Sequence, residues 1–247
     1  MKKRWLLVAL LLLPSLAWAQ ADAEIQTPPL IAQMLVLVGL ALLPFLVLLL
    51  TIFTKMVIVL ALLRSAMGLQ QAPPNQVING IALILVLYVM FPTGMAMYER
   101  VEPLFQKAPT ELVSAESSVF YIDVIKEARE PLREFLIKNS RAKHQRAFYR
   151  IAYKFFPPQV RASLQPTDFI ILVPAYITSQ VEDAFQIGVL IYLPFFVIDL
   201  VTSNILLAMG MMMLSPITIA IPLKLLLLVM LDGWAILVQG LVLSFNP

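Results

Sequence analysis

The 247-residue sequence has no cysteine, one histidine and few charged residues, which make up 13% of the chain. Without cysteine the chain can form no disulfide, no thiolate metal site and no cysteine nucleophile. Soluble domains carry about twice this fraction of charged residues, whereas here 60% of the residues are hydrophobic. The net charge of +3 is too small to indicate nucleic acid as a partner. The composition therefore predicts a membrane protein.

The charged residues are concentrated in one segment, and this divides the chain. Of the 18 basic and 15 acidic residues, 21 lie between Glu99 and Asp168. The sequence on either side is apolar. We therefore predict an all-α membrane protein in which a polar helical insert, residues 99–168, separates two regions of kinked helical hairpins, residues 20–98 and 169–247.

Residues 1–19 have the pattern of a cleavable signal peptide. A basic start (residues 2–4) precedes a short apolar run, and Ala17-Trp18-Ala19 is a small-x-small cleavage site. The run is too short to span a bilayer. We predict cleavage between Ala19 and Gln20, and an uncleaved anchor is the alternative. Because two spans return the chain to its starting side, the insert and both mature termini are expected to be extracytoplasmic.

The two apolar regions contain four blocks. Residues 34–63 are too long for a straight span and carry Pro44 in their middle, which predicts a tilt, a kink or a break. Residues 76–92 and residues 169–202 predict one span each. Residues 205–245 are long enough for a helical hairpin, with breaks expected at Gly210, Ser215, Pro216 and Pro222.

The insert carries two helical patterns. Apolar residues recur every three or four positions from Ile122 to Leu136, which predicts a one-faced amphipathic helix. The following stretch, residues 141–154, is basic with aromatic residues interspersed. It could contact lipid headgroups or nucleic acid, or it could be a solvated helical face. The solvated face is the favoured interpretation. An extracytoplasmic insert leaves no DNA to bind. His144 lies here without a carboxylate at helical spacing, so we expect an exposed side chain.

Enzyme signatures are lacking. The sequence contains no G-x-S-x-G, H-E-x-x-H or P-loop motif. A metal site would have to be built from carboxylates, and the acidic residues of the apolar regions are too few and too far apart for this. We therefore predict that the protein is not an enzyme and has no catalytic residue, metal ligand or cofactor.

Beyond residue 184 the only charged residues are Asp199, Lys224 and Asp232. A charge inside apolar sequence is costly and usually faces an interior, a pore or an opposite charge. Lys224 and Asp232 would lie about 12 Å apart along one helix. We therefore expect Lys224 to pair with Asp199, across a hairpin or between subunits. A stabilising ion pair and a proton relay both remain open.

Two further segments interrupt the apolar sequence. Met209-Gly210-Met211-Met212-Met213 favours a loop, because consecutive methionines cannot all share one face of a helix. Core filling competes there with a gating role. The second segment is a polar bend between two apolar helices, which suggests burial against other subunits, and its principal residues are Gln70, Pro73, Pro74 and Asn75.

Several of these motifs resemble the FliP/SctR family. The matching runs are Gln70-Gln71-x-Pro73-Pro74-Asn75-Gln76, Ala184-Phe185-Gln186-Ile187-Gly188, Leu193-Pro194-Phe195-x-Val197-Ile198-Asp199-Leu200-Val201, Met209-Gly210-Met211-Met212-Met213-x-Ser215-Pro216 and Asp232-Gly233-Trp234. The resemblance implies an export-gate subunit of a flagellar or virulence-associated type III secretion system in the bacterial inner membrane, with a periplasmic insert. It also implies a homo-pentamer, assembled helically with FliQ/SctS-like and FliR/SctT-like subunits and next to other export-apparatus proteins, around a closed channel for unfolded secreted proteins.

In a ring of identical subunits, three methionines would converge on the axis as a gasket, and these are Met211, Met212 and Met213. Two other classes of function stay open. One is a structural membrane scaffold whose insert binds a partner. The other is an ion channel or proton-coupled transporter subunit that uses Asp199, Lys224 and Asp232.

Overall fold

The computed structural model describes residues 30–69, 71–105, 115–211 and 213–245. Within these ranges the chain is almost entirely helical and contains no strand, so the predicted all-α class is confirmed. The expected signal cleavage site at Ala19 and Gln20 lies outside the described residues, as do Gln70 and Met212. The helices are α1 (Leu30–Leu50), α2 (Phe53–Ala66), α3 (Asn75–Phe105), α4 (Ala115–Lys138), α5 (Ala142–Phe155), α6 (Pro158–Ser163), α7 (Phe169–Ala208), α8 (Pro216–Met230) and α9 (Gly233–Leu243).

Among the residues that the structure describes, two single helices are long and apolar enough to cross a membrane. These are α3, with 31 residues, and α7, with 40. At 1.5 Å per residue α7 is about 60 Å long, twice the hydrocarbon thickness of a bilayer, which is about 30 Å. In the described part of the chain, the α1–α2 and α8–α9 pairs are also apolar enough but bend by 70° and 63°. The bent pairs bring the possible spans to four if each pair is one span.

The first bend is the break that was one of three alternatives for residues 34–63, whereas the second lies where none was expected. Pro44 lies inside α1, and the break comes later, at Thr51 and Ile52. The expected break at Pro222 is wrong, because this proline lies inside α8 and the break follows that helix. An interior proline removes one backbone donor, and a packed membrane helix tolerates this loss. The actual break has Asp232 in the left-handed conformation at φ 49°, a region that Asp enters more readily than most residues.

The long helix α7 is the element on which the others pack. It contacts α2, α4, α5 and α8. One core joins α2, α3, α4 and α7 and buries Met56, Val59, Phe135 and Tyr176, among others. Because Phe135 belongs to the insert, the polar segment packs directly onto the apolar helices. The proposed boundary between residues 98 and 99 falls inside α3, whereas the one between residues 168 and 169 coincides with the start of α7.

Gly188 on α7 lies against Leu62 on α2. A β-carbon built on this residue would lie 2.3 Å from Cδ1 of Leu62, which is far inside van der Waals contact. The absence of a β-carbon on Gly188 therefore leaves room for the tip of the Leu62 side chain, as small residues do at helix interfaces in membranes.

We predict that Gly188→Val lowers the thermal stability of the detergent-solubilised protein, because the added methyl groups overpack this contact by about 1–3 kcal/mol. Leu62→Ala in the same chain should restore part of the loss, since it empties the space that the valine needs. Gly80→Val is the matched control, because Gly80 is also helical and has no atom within 4 Å of its built β-carbon. An equal loss at both glycines would contradict the prediction.

Candidate functional site

Three helices meet at the side chain of Lys224, which is buried on α8. Its ammonium Nζ donates to Oδ2 of Asp199 on α7 at 2.7 Å and to the carbonyl oxygen of Ala66, the last residue of α2, at 3.0 Å. The final carbonyls of a helix lack intrahelical donors and carry partial negative charge. The lysine thus lies between a carboxylate and the negative end of a helix. We call Lys224, Asp199 and Ala66 the three-helix brace.

The two charged members of the brace differ in exposure. The Lys224 side chain is 6% exposed and that of Asp199 is 44% exposed. Loss of the carboxylate would leave a buried ammonium with one carbonyl partner, whereas loss of the lysine would leave a carboxylate that solvent or a neighbouring group can reach. The brace is therefore unequally sensitive to its two charges.

Asp232 does not join the other two charges of the C-terminal region. It lies at the break between α8 and α9, is exposed, and forms no ion pair with any residue that the structure describes. The three predicted charges thus separate into one pair and one isolated carboxylate. In the described ranges no group of three or more His, Cys, Asp or Glu side chains could hold a metal ion.

The described residues of the methionine run lie in the segment between α7 and α8. The helix α7 ends at Ala208, and Gly210 follows at φ 74°. The Gly210 N–H donates to the Leu207 carbonyl oxygen, and the Met211 N–H donates to the Leu206 carbonyl oxygen. These two bonds form a Schellman motif, which requires the left-handed glycine. The exposed methionines that the structure describes in this loop are Met209, Met211 and Met213.

The brace and the methionine loop belong to one helical hairpin. Asp199 lies ten residues before Met209, and Lys224 lies nine residues after Ser215. At the α-helical rise, both are about 15 Å from the loop. The salt bridge therefore joins the two arms of the hairpin at the same height, and the Ala66 contact fastens both arms to α2.

The polar bend lies beside the brace. Nη1 of Arg64 donates to the Pro73 carbonyl oxygen at 3.1 Å and to Oδ1 of Asn75 at 2.7 Å, which closes the segment between α2 and α3. Pro74 provides the carbonyl that accepts the first backbone bonds of α3. Gly68, at φ 78°, approaches the side chain of Ile221 on α8. Of the predicted bend residues, Pro73 and Asn75 are thus held by Arg64, whereas Pro74 and Asn75 are exposed in the single chain.

A second ionic cluster joins the insert to α7, and we call it the polar seam. The carboxylate of Glu182 is 2.8 Å from Nη1 of Arg141 and 2.6 Å from Nε2 of His144, and it also pairs with Lys143. Arg141 forms a further pair with Asp183. The expectation that His144 is exposed is wrong. Its side chain contacts the Glu182 carboxylate, which lies on another helix 38 residues further along the chain. The adjacent acids Glu182 and Asp183, inside the apolar block of residues 169–202, were the available signal.

One buried charge received no role in the sequence-based interpretation. Lys55 on α2 is buried, donates to Oγ of Ser244 at 2.8 Å, and lies 4.2 Å from the ring centroid of Phe245. A hydroxyl and an aromatic face are the partners that the structure describes for it. The position of a lysine between apolar helices was a sequence signal, but its partners come from the far end of the chain.

We predict that Asp199→Ala destabilises the protein more than Lys224→Met, because only the first leaves a buried, unpaired ammonium. Breaking a buried ion pair costs about 3–5 kcal/mol, and the partial exposure of Asp199 places its loss toward the lower value. The double variant should recover much of the stability, since it buries no charge. Thermal unfolding in one detergent measures all three, and equal losses in the two single variants would contradict the asymmetry.

Comparison with known proteins gives a consistent result. The FliP family model matches residues 36–241, most of the chain. The chain is 45% identical to "Yop proteins translocation protein R" of Yersinia pestis over 90% of this chain and 99% of the relative. It is 42% identical to "Hypersensitivity response secretion protein HrcR" of Ralstonia nicotianae, over 85% of this chain and 94% of the relative.

A flagellar relative is also similar. "Flagellar biosynthetic protein FliP" of Pectobacterium carotovorum is 36% identical over 97% of this chain and 92% of its own length. The predicted resemblance to the FliP/SctR family is therefore confirmed. Its relatives are components of type III secretion and flagellar export systems, and the apolar helices make this an integral membrane protein. The chain belongs to the FliP family.

Proposed function

We propose that the protein is a core subunit of a type III secretion export gate and forms a closed, protein-conducting channel for unfolded substrates across the bacterial inner membrane. The observation that carries this proposal is the exposed methionine loop at the end of a braced hairpin. The described methionine side chains of this loop are exposed in the single chain and fill no hydrophobic core. Their exposure is consistent with a contact that forms on assembly.

A ring of identical subunits would bring these loops together on one axis. Methionine side chains are flexible and polarisable, so they can close an apolar constriction and still yield to an unfolded chain. The brace supports this role, because a loop that closes a pore needs a rigid base. We propose Met211, Met212 and Met213 as the gasket of a homo-pentamer that also contains FliQ/SctS-like and FliR/SctT-like subunits, as the family membership suggests.

The runner-up function, an ion channel or proton-coupled transporter, has less support. A proton relay through Asp199 and Lys224 would need groups that are free to exchange protons. The Lys224 ammonium is instead engaged by a carboxylate and a helix-terminal carbonyl, which suits a structural brace. Asp232, exposed at the break after α8, has no partner in the described part of the chain through which a relay could continue.

We predict that replacing Met211, Met212 and Met213 together with alanine raises the leakage of small ions through the assembled complex, because three shorter side chains leave the constriction open. Conductance or dye efflux from vesicles that contain the purified complex measures the leak, and co-purification of the partner subunits measures assembly.

The matched control replaces three exposed methionines elsewhere in the chain, Met34, Met95 and Met230, with alanine. This control should leave the leak unchanged, since it removes the same atoms away from the loop. If the loop variant assembles normally and leaks no more than the unsubstituted complex, the gasket proposal is wrong.

We further propose that the insert, residues 99–168, and both mature termini lie in the periplasm. A reporter that is active only outside the cytoplasm should therefore be active when fused near Ser118 and inactive when fused near Gln70, because one span separates these positions. The reverse pattern would show that residues 1–19 remain as an anchor or that the span count is wrong. The many basic residues of the insert make this a strict test, since such residues favour the cytoplasm in short loops.

A further inference from the structure

Two parallel rows of exposed side chains run along the outer face of α5. One row is basic, with Arg146, Arg150 and Lys154, and the other is apolar, with Ala147, Ile151 and Phe155. Residues four apart lie on the same face of a helix, so the two rows run side by side. The opposite face of α5 packs on α7 and buries Ala152. Phe155, at 75% exposure, is among the most exposed aromatic side chains that the structure describes.

The basic row has no carboxylate partner in the described part of the chain. No acidic residue occurs anywhere between residues 135 and 167. At the start of α5 the polar seam neutralises Arg141 and Lys143 with Glu182 and Asp183. The three cations further along form no ion pair with any residue that the structure describes, so the outer face of α5 is a positive surface with an apolar edge.

The position of this surface in the chain points to a membrane. After α5 only the short helix α6 precedes Phe169, where the apolar helix α7 begins. Tyr153 and Val160 are exposed at this end of the insert, and the Arg161 guanidinium lies 5.7 Å from the Tyr153 ring centroid. Basic and aromatic side chains next to the end of an apolar helix are typical of the zone between membrane and water.

We propose that the outer face of α5 binds the headgroups of anionic phospholipids. The guanidinium and ammonium groups of the basic row contact the phosphates, and Ile151 and Phe155 enter the adjoining edge of the acyl region. A bilayer is within reach, because the insert joins apolar helices at both ends. An anionic lipid satisfies both rows at once, whereas nucleic acid would leave the apolar row in water. This surface does not depend on the gate proposal.

The absence of cysteine provides a direct test. Ala147→Cys creates a unique thiol on the exposed apolar row, which can carry a fluorophore. The full-length protein is placed in nanodiscs of phosphatidylcholine and phosphatidylglycerol, in which one of the two lipids carries brominated acyl chains that quench on contact. We expect brominated phosphatidylglycerol to quench severalfold more than brominated phosphatidylcholine, because each exposed basic side chain contributes up to about a fivefold preference. Added salt should reduce the difference.

Two triple variants separate the basic row from general charge. Arg146→Gln with Arg150→Gln and Lys154→Gln should remove the preference for phosphatidylglycerol. The control variant combines Arg100→Gln, Lys126→Gln and Arg129→Gln, which removes the same number of positive charges. These three residues form ion pairs, with Glu134, Asp123 and Glu130 respectively. This control should keep the preference.

Several outcomes would overturn the proposal. Equal quenching by the two brominated lipids in the labelled Ala147→Cys protein would do so. A preference for phosphatidylglycerol that survives the loss of the basic row would also do so. A preference that is absent from nanodiscs, together with a crosslink from position 147 to an acidic protein in cells, would assign the surface to a protein partner instead. The salt titration needs only the Ala147→Cys change, so the proposal stays testable if a triple variant fails to fold.

Discussion

One buried ammonium group connects three of the apolar helices of this protein. Lys224 engages Asp199 on α7 and the terminal carbonyl of α2 at once, so a single side chain fixes the relative position of three helices. In lipid, apolar side chains gain little by leaving one membrane helix for another, because acyl chains are as apolar as leucine. Close packing and directional contacts between polar groups then both contribute to which helices meet and in which register. The brace is such a contact, and the methionine loop is positioned above it.

The long helix α7 connects this brace to the polar seam. Asp199 lies in its second half, whereas Glu182 and Asp183 lie near its middle and bind the start of α5. Between these two sites Gly188 leaves room for the Leu62 side chain of α2. The insert and the loop-bearing hairpin are therefore attached to one continuous helix. The polar seam and the brace thus share α7 as their common element.

The two ionic sites differ in what they require from the surroundings. The polar seam is made of groups that remain partly accessible, so surface-like pairs there contribute modestly to stability and mainly fix geometry. The brace contains a nearly inaccessible lysine, so the loss of its partner is expensive. The outer face of α5 is a third case, in which the basic side chains have no ionic partner in the described chain and remain available for an external one.

Much of the architecture could be predicted from local sequence patterns. Apolar runs longer than a bilayer is thick indicate membrane helices, the three-to-four residue recurrence before Leu136 indicates an amphipathic helix, and consecutive methionines beside Gly210 indicate a loop. Each of these inferences depends on residues that are close in sequence, so helical geometry and side-chain chemistry suffice. The expected break at Pro222 was wrong because it rested on local sequence alone. Proline lacks one backbone donor, and packing against neighbouring helices allows the helix to continue without it.

The sequence by itself determined the all-α membrane class, the polar insert and the residues with a chemistry worth examining, including Asp199 and Lys224. Only the tertiary structure decided which of them meet. The Ala66 carbonyl is a backbone atom that no residue type reveals, and the carboxylate that binds His144 belongs to a helix 38 residues away. Such contacts depend on how long apolar helices cross and on which turn they touch. Those relations arise from the packing of the whole chain, so no local pattern encodes them.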